Sequence, residues 1–345
     1  MPRNSAIGIL LGVMAGLANG VFLLPMRYTR KWAWENTWII FTVLSTGLLP
    51  WIAALVAVPD FISIVRKAPF RLMLPGLAAG GIWGIAQVMY GLGVGIMGIA
   101  VGSAVISCIS TICGALGPML VYAPNRLFSS TSLVLLVGIV LIAWGIYQYA
   151  EAGTRKERET AGKEASSQIV TGSFRTGLVF CLATGVLGTA FIYGGRSSVA
   201  LINAARAAGA APDLAFYAAY AITFNAGMIP GLLFSVYKLY TRRTVSKFIT
   251  SGSFWWNLAL SVSMALLWYS GILMYGMSSE KMGVLGPSIA FVFFAGGTIL
   301  FANFFGWLAG EWKGASPRTV RDFVLGMVLL VLAIVIVALG ANRPV

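Results

Sequence analysis

The chain contains no histidine, and only 10% of its 345 residues carry charge. Without an imidazole, Ser-His-Asp triads, histidine-ligated zinc and imidazole proton relays are excluded. Cysteine is scarce. Cys108, Cys113 and Cys181 each lie inside an apolar run, an odd number at spacings that build neither a disulfide framework nor a metal cage. Soluble domains carry about 25% charge, so more than half of the usual quota is missing. No cofactor or metal is expected, and soluble-type hydrolytic enzymology has little to stand on.

What fills the chain instead is apolar sequence: 59% of residues, with a mean hydropathy of +0.87 and 41 glycines. The glycines follow no triplet period, which excludes collagen, and the hydrophobicity excludes disorder. A single water-soluble core could not hide this much apolar surface. The net charge of +14 (24 − 10) would suggest nucleic acid in a soluble protein. Here the basic residues sit in short clusters between apolar runs, where they meet lipid headgroups and orient the chain. No base-reading module is present, so nucleic acid is not an expected partner.

Crossing the hydrocarbon takes about 20 mostly apolar residues. Ten runs qualify, at 6–24, 37–58, 72–92, 98–122, 132–150, 177–195, 214–237, 254–276, 282–309 and 323–340. The expected fold is therefore an all-α membrane protein with ten transmembrane helices. The first run follows Arg3 but leads into Pro25 and a basic cluster rather than a small-residue cleavage site, and it reads as a span rather than a signal peptide. Residues 151–172 form the one sizeable hydrophilic connection, dividing the chain into halves at 1–150 and 173–345. The Lys/Arg bias between the two sides favours both termini outside.

The halves share a spaced signature. Trp83, Met89, Tyr90, Gly91, Met97 and Gly98 recur as Trp268, Met274, Tyr275, Gly276, Met282 and Gly283, each pair 185 positions apart (268 − 83). A unit of five helices is odd-numbered, so its second copy enters the membrane from the opposite side. That is a 5+5 inverted-topology repeat, an architecture many secondary transporters use around a central site. Transport thereby becomes the leading class.

The residues Lys31-Trp32-Ala33-Trp34-Glu35-Asn36-Thr37-Trp38, Leu49-Pro50-Trp51, Trp83-Gly84-Ile85, Tyr90-Gly91-Leu92 and Glu311-Trp312 resemble the L-rhamnose–proton symporter family, part of the drug/metabolite transporter superfamily. The similarity is densest in the first four spans and the last. It implies a ten-helix carrier of the bacterial inner membrane that imports a deoxy-sugar with a proton.

Candidate site residues come from helical spacing. Trp83, Gln87 and Tyr90 fall at i, i+4 and i+7, hence on one face. Gln87 is the only amide of its span, and an unpaired amide in hydrocarbon costs several kcal/mol, so it must face protein or a wet cavity. Sugar hydroxyls need such amides, and sugar C–H faces lie well on aromatic rings. An interhelical hydrogen bond explains Gln87 equally well. Asn257, Ser261, Met264, Trp268, Ile272 and Tyr275 make a second stripe in the eighth span. The repeat would set it opposite the first, so that two Trp/Tyr pairs frame a central cavity. Ser107 joins them from the fourth span, where Ser103, Ser107, Ser110 and Gly114 share a face; its hydroxyl could instead bond its own helix. Asn19, Asn225 and Asn303 are cavity liners or interhelical clasps. Gly8, Gly12, Gly16 and Gly20, four apart, suit close helix packing or a rocking seam.

Proton-coupled carriers usually place an Asp, Glu or His inside the membrane. All ten carboxylates here lie in loops or at helix ends. Glu35 and Glu311 fall in the stretches that resemble the family and are the proton-coupling candidates. The residues by themselves leave coupling open. Two other readings stand beside the symporter: a drug or metabolite exporter on the same scaffold, and a non-transporting membrane sensor or scaffold. Oligomeric state is not legible.

Overall fold

The computed structural model describes residues 5–97, 99–160 and 173–341. Residues 161–172 of the hydrophilic connection and Gly98 of the repeat signature lie outside them. Every long element among the described residues is a helix, as a chain in lipid requires: with no water at hand, each backbone N–H and C=O must be satisfied within the segment.

Ten helical spans are long and apolar enough to cross a membrane. They are α1 (Ser5–Tyr28), α2 (Trp34–Ala57), α3 (Phe70–Met97), α4 (Val101–Tyr122) and α5 (Ser130–Lys156), then α6 (Arg175–Ala207), α7 (Tyr217–Thr241), α8 (Phe254–Lys281), α9 (Gly283–Leu308) and α10 (Pro317–Gly340). Each matches one expected run, with ends shifted by several residues. The largest shift is in α6, which ends at Ala207 rather than at 195; the α5 helix also continues, to Thr160. Its polar last turns are held by side chains: Glu151 pairs with Arg155 at 3.3 Å, and Glu159 accepts hydrogen bonds from Ser316 and Thr319.

The chain forms two compact units, and each draws on both halves of the sequence. One contains Met1–Gly20, Met89–Val186 and Met274–Val345; the other contains Val21–Val88 and Leu187–Leu273.

In the first unit, glycines set the helix spacing. A Cβ on Gly16 of α1 would lie 2.7 Å from the Gly297 Cα of α9, and one on Gly12 would lie 2.8 Å from Phe293 Cβ. The four-step glycine seam is therefore the face that lets α1 and α9 touch backbone to backbone. Asn19 closes the same seam, its amide donating to Thr298 Oγ1 at 3.2 Å. Helices α5 and α10 meet through Gly145 and Gly326, each opposed to the other's carbonyl. Val292, Phe293, Ile142 and Leu330 lie in the buried core that results.

In the second unit, α2 contains a π-helical turn over Val43–Leu48, directly before Pro50. Proline has no N–H for the carbonyl four residues back. Asn225 of α7 supplies the missing donor: its Nδ2 reaches Thr46 O at 3.2 Å and Gly47 O at 3.1 Å. Asn225 is thus a clasp. Asn303 donates to its own helix at Ile299 O, a third use of a membrane amide.

Candidate functional site

The centre of the second unit is aromatic. Trp83 lies at the midpoint of α3 and Trp268 at the midpoint of α8. Their ring centroids are 5.8 Å apart at 33°. Phe224 of α7 stands edge-on to both, 5.4 Å from Trp83 and 5.5 Å from Trp268. Phe41 of α2 closes on Trp268 at 6.1 Å. Trp83 is only 7% exposed, whereas Trp268 is half-buried, so one indole is held and the other keeps an open flank.

Small residues place these rings. Gly80 and Gly84 of α3 run against the backbone of Thr223 and Gly227 in α7. A Cβ on Gly227 would come within 2.6 Å of Trp83 Cε3, so the indole lies flat in the notch that Gly227 leaves. The four-residue spacing of Gly80 and Gly84 is the sequence signal for this close α3–α7 approach. It also points to Phe224, the central ring that spacing within α3 and α8 alone does not reveal.

Gln87, one turn beyond Trp83, is exposed and makes no hydrogen bond with any described residue. The interhelical-clasp alternative therefore has no partner here. The remaining expected residues divide. Asn257 is fully buried, and its carboxamide pairs with the backbone of Arg30 in both directions, Arg30 N to Oδ1 and Nδ2 to Arg30 O, each at 2.9 Å. That makes it a brace for the α1–α2 connection. Ser261 donates to its own helix at Asn257 O, and Met264 is core.

Tyr90, Ser107 and Tyr275 fall in the other compact unit. There Tyr90 is 40% exposed with its hydroxyl 3.4 Å from Ser103 Oγ. Ser107 is half-buried and bonds no described residue. Ser110 donates to Gly185 O at 3.1 Å, a packing contact between α4 and α6. Tyr275 is 1% exposed, packed 5.4 Å from Phe294 and 6.0 Å from Phe291. The first unit therefore presents Tyr90 and Ser107 on its surface and encloses Tyr275.

The two carboxylate candidates differ sharply. Glu35 opens α2 and is fully buried. It accepts a 2.7 Å hydrogen bond from Thr244 Oγ1 and stands 3.5 Å from the Arg242 guanidinium. Its neighbour Asn36 is also fully buried, donating to Thr244 O at 3.0 Å and accepting from Ala33 N at 3.1 Å. Trp256 Nε1 donates to Tyr28 O, and Arg30 stacks on the Trp256 ring. The aromatic, acidic and amide residues around 31–38 thus fasten the α1–α2 connection to the α7–α8 connection. Glu311, by contrast, is exposed just past the end of α9. Among the described residues no three of His, Cys, Asp and Glu gather as a metal-binding group.

Set beside known proteins, the profile of the L-rhamnose-proton symport protein (RhaT) family matches residues 1–343. The chain is 25% identical to a protein of Cronobacter sakazakii named L-rhamnose-proton symporter, over 99% of both chains. It is equally similar, at 25% and 99% of both, to one of that name from Mannheimia succiniciproducens. Identity to the Escherichia coli O1:K1 / APEC protein so named is 23% over the same share. A solved protein crystal structure matches 97% of this chain and 99% of its own with a TM-score of 0.54 at 14% identity, a likeness of fold.

Proposed function

Because the chain belongs to the L-rhamnose-proton symport protein family, we propose that it is a secondary carrier importing L-rhamnose, or a related deoxy-sugar, together with a proton across a bacterial inner membrane. The observation that carries the sugar reading is the Gln87 carboxamide, unbonded among the described residues, one turn from the tilted Trp83–Trp268 pair. An exposed, unpartnered amide deep in a span is too costly against acyl chains, so it fits a wall of a water-filled cavity. The half-open Trp268 indole offers a flat apolar platform to sugar C–H groups, and Gln87 offers a donor and an acceptor to a hydroxyl. Tyr90 and Ser107, which belong to the other unit, are put forward separately as polar candidates for substrate contact. Asn257 and Tyr275 are packed residues, each within its own unit.

Two inverted five-helix halves, 1–150 and 173–345, suit the architecture. The chain passes between compact units after Val88 in α3 and after Leu273 in α8, positions again 185 apart (273 − 88). Corresponding helices thus change unit at corresponding points, as an inverted repeat working by alternating access would have them do.

For the proton we favour Glu35 over Glu311. A coupling group must be shielded from bulk water and must feel its charge state. Ionised, Glu35 accepts from Thr244 and attracts Arg242; protonated, it gives up the ion pair and can donate. Loss of its charge would therefore loosen the fastening between the α1–α2 and α7–α8 connections. Glu311, by contrast, is exposed.

Reconstituted vesicles test the reading. Labelled L-rhamnose should accumulate above equilibrium when the lumen is made alkaline, and a protonophore should abolish that accumulation. Uptake that equilibrates without concentrating would mean a facilitator. Competition by hydrophobic cations but by no sugar would mean an exporter.

A further inference from the structure

The exposed side of α5 carries a continuous pattern that lies outside the proposed site. Leu133, Val137, Val140, Trp144 and Tyr147 are all exposed, at steps of four, three, four and three, so they form one straight stripe along the helix. Where the apolar span ends, the same line runs into Glu151, Thr154 and Arg158. A surface groove of about 240 Å³ opens there between Tyr147, Ala150, Glu151, Thr154, Arg155 and Arg158.

The charges at the groove are unequal in availability. Arg155 is committed to Asp322 at 2.6 Å and to Glu151 at 3.3 Å. Arg158 is exposed and has no hydrogen bond or ion pair with any described residue. A guanidinium with no partner among the described residues thus stands at the end of an apolar track, two residues past the end of the span at Lys156, where a headgroup region would begin.

We infer that this face of α5 is a binding site for an anionic phospholipid, its phosphate on Arg158 at the groove and one acyl chain along the Leu133–Tyr147 stripe. A guanidinium matches a phosphodiester in geometry and sign, and its free charge favours an anionic over a zwitterionic headgroup. A second copy of the chain is the weaker occupant. Helix association in lipid relies on small residues at the contact, and the five apolar positions of the stripe hold none.

Native mass spectrometry of the purified full chain, titrated with phosphatidylglycerol or phosphatidylcholine, tests the site. Wild type should retain phosphatidylglycerol in preference to phosphatidylcholine. Arg158→Ala should weaken phosphatidylglycerol binding about fivefold, the factor one surface cation supplies, with phosphatidylcholine binding unchanged. Tyr147→Ala, which leaves the charges intact, should weaken both lipids. Equal binding of the two lipids, or an Arg158→Ala variant that binds like wild type, would overturn the proposal. Displacement of the lipid by inorganic phosphate alone would reduce the groove to a simple anion site. A two-chain mass together with disulfide cross-linking of Val140→Cys between copies would assign the stripe to self-association. Either result contradicts the lipid.

Discussion

Trp83 and Trp268 occupy equivalent places 185 positions apart in the two halves of the sequence (268 − 83), and they pack against each other with ring centroids 5.8 Å apart. Both stand at the midpoints of their helices, wedged by Phe224. An aromatic platform at mid-span beside a free amide is the feature around which the sugar proposal turns.

Replacing Gln87 with Ala should raise the KM for L-rhamnose about tenfold, the loss of one well-formed hydrogen bond to substrate, with expression and melting temperature unchanged. Trp268→Ala should raise KM by a similar factor, since an aromatic face contributes about 0.5–1.5 kcal/mol. Trp83→Ala should also lower the melting temperature, because Trp83 is packed against Gly227. Initial-rate uptake alongside thermal unfolding separates these effects.

Glu35→Gln keeps an acceptor for Thr244 but removes the charge facing Arg242. It should abolish accumulation driven by a pH gradient while leaving sugar-for-sugar exchange in place. Glu311→Gln should leave accumulation intact. Normal accumulation by Glu35→Gln would remove that residue from the coupling step.

Asn225→Ala strips the donor from two backbone carbonyls, Thr46 O and Gly47 O. The expected loss is roughly 1–3 kcal/mol, read as a lowered unfolding temperature. Pro50→Ala restores a backbone N–H at the same turn and should recover part of that loss in the double variant, so the two changes should be non-additive.

Glycine substitutions should divide by contact. At Gly16 a methyl would meet the Gly297 backbone, and Gly16→Ala should destabilise by about 1–3 kcal/mol through overpacking. At Gly81 nothing lies within 4 Å, so Gly81→Ala should be neutral or stabilise by up to about 1 kcal/mol. Thermal unfolding of the two variants in detergent measures the difference.

Glu159 lies beyond the α5 span. The Ser316 hydroxyl, then the Ser316 N–H and Thr319, hold its carboxyl below the ordinary value. A carboxyl lowered in the folded state contributes stability above its unfolded value, about 4.3, and loses it as pH falls through the folded value. The contact between the end of α5 and the start of α10 should therefore hold from neutral pH to about 5 and weaken under acid. Hydrogen exchange at Ser316–Thr319 should show that acid dependence in wild type and none in Glu159→Gln.

Much of the fold was legible because lipid enforces a single rule. Each backbone must satisfy itself, so every long apolar run becomes helical, and all ten runs did, the sixth with a turn at Gly188–Thr189. Helix ends were less legible. The Glu151–Arg155 pair and the Glu159 contacts that carry α5 to Thr160 depend on side chains and on a distant segment, not on hydropathy. In the candidate site, spacing within one helix put forward Trp83, Gln87 and Trp268. It could not reveal that Asn257 is consumed by the Arg30 backbone, since that bond joins residues 227 positions apart. Tyr90 and Tyr275 share helices with the two tryptophans but fall in the other compact unit, a division that periodicity along a helix does not record. Likewise nothing local to Glu35 discloses Thr244 and Arg242.

The most direct test of the central claim is cysteine labelling at Gln87. In a chain lacking Cys108, Cys113 and Cys181, Gln87→Cys should react with a membrane-impermeant, water-soluble thiol reagent, and saturating L-rhamnose should slow the reaction severalfold. A thiol that never reacts, or one that reacts at the same rate with and without the sugar, would contradict the account.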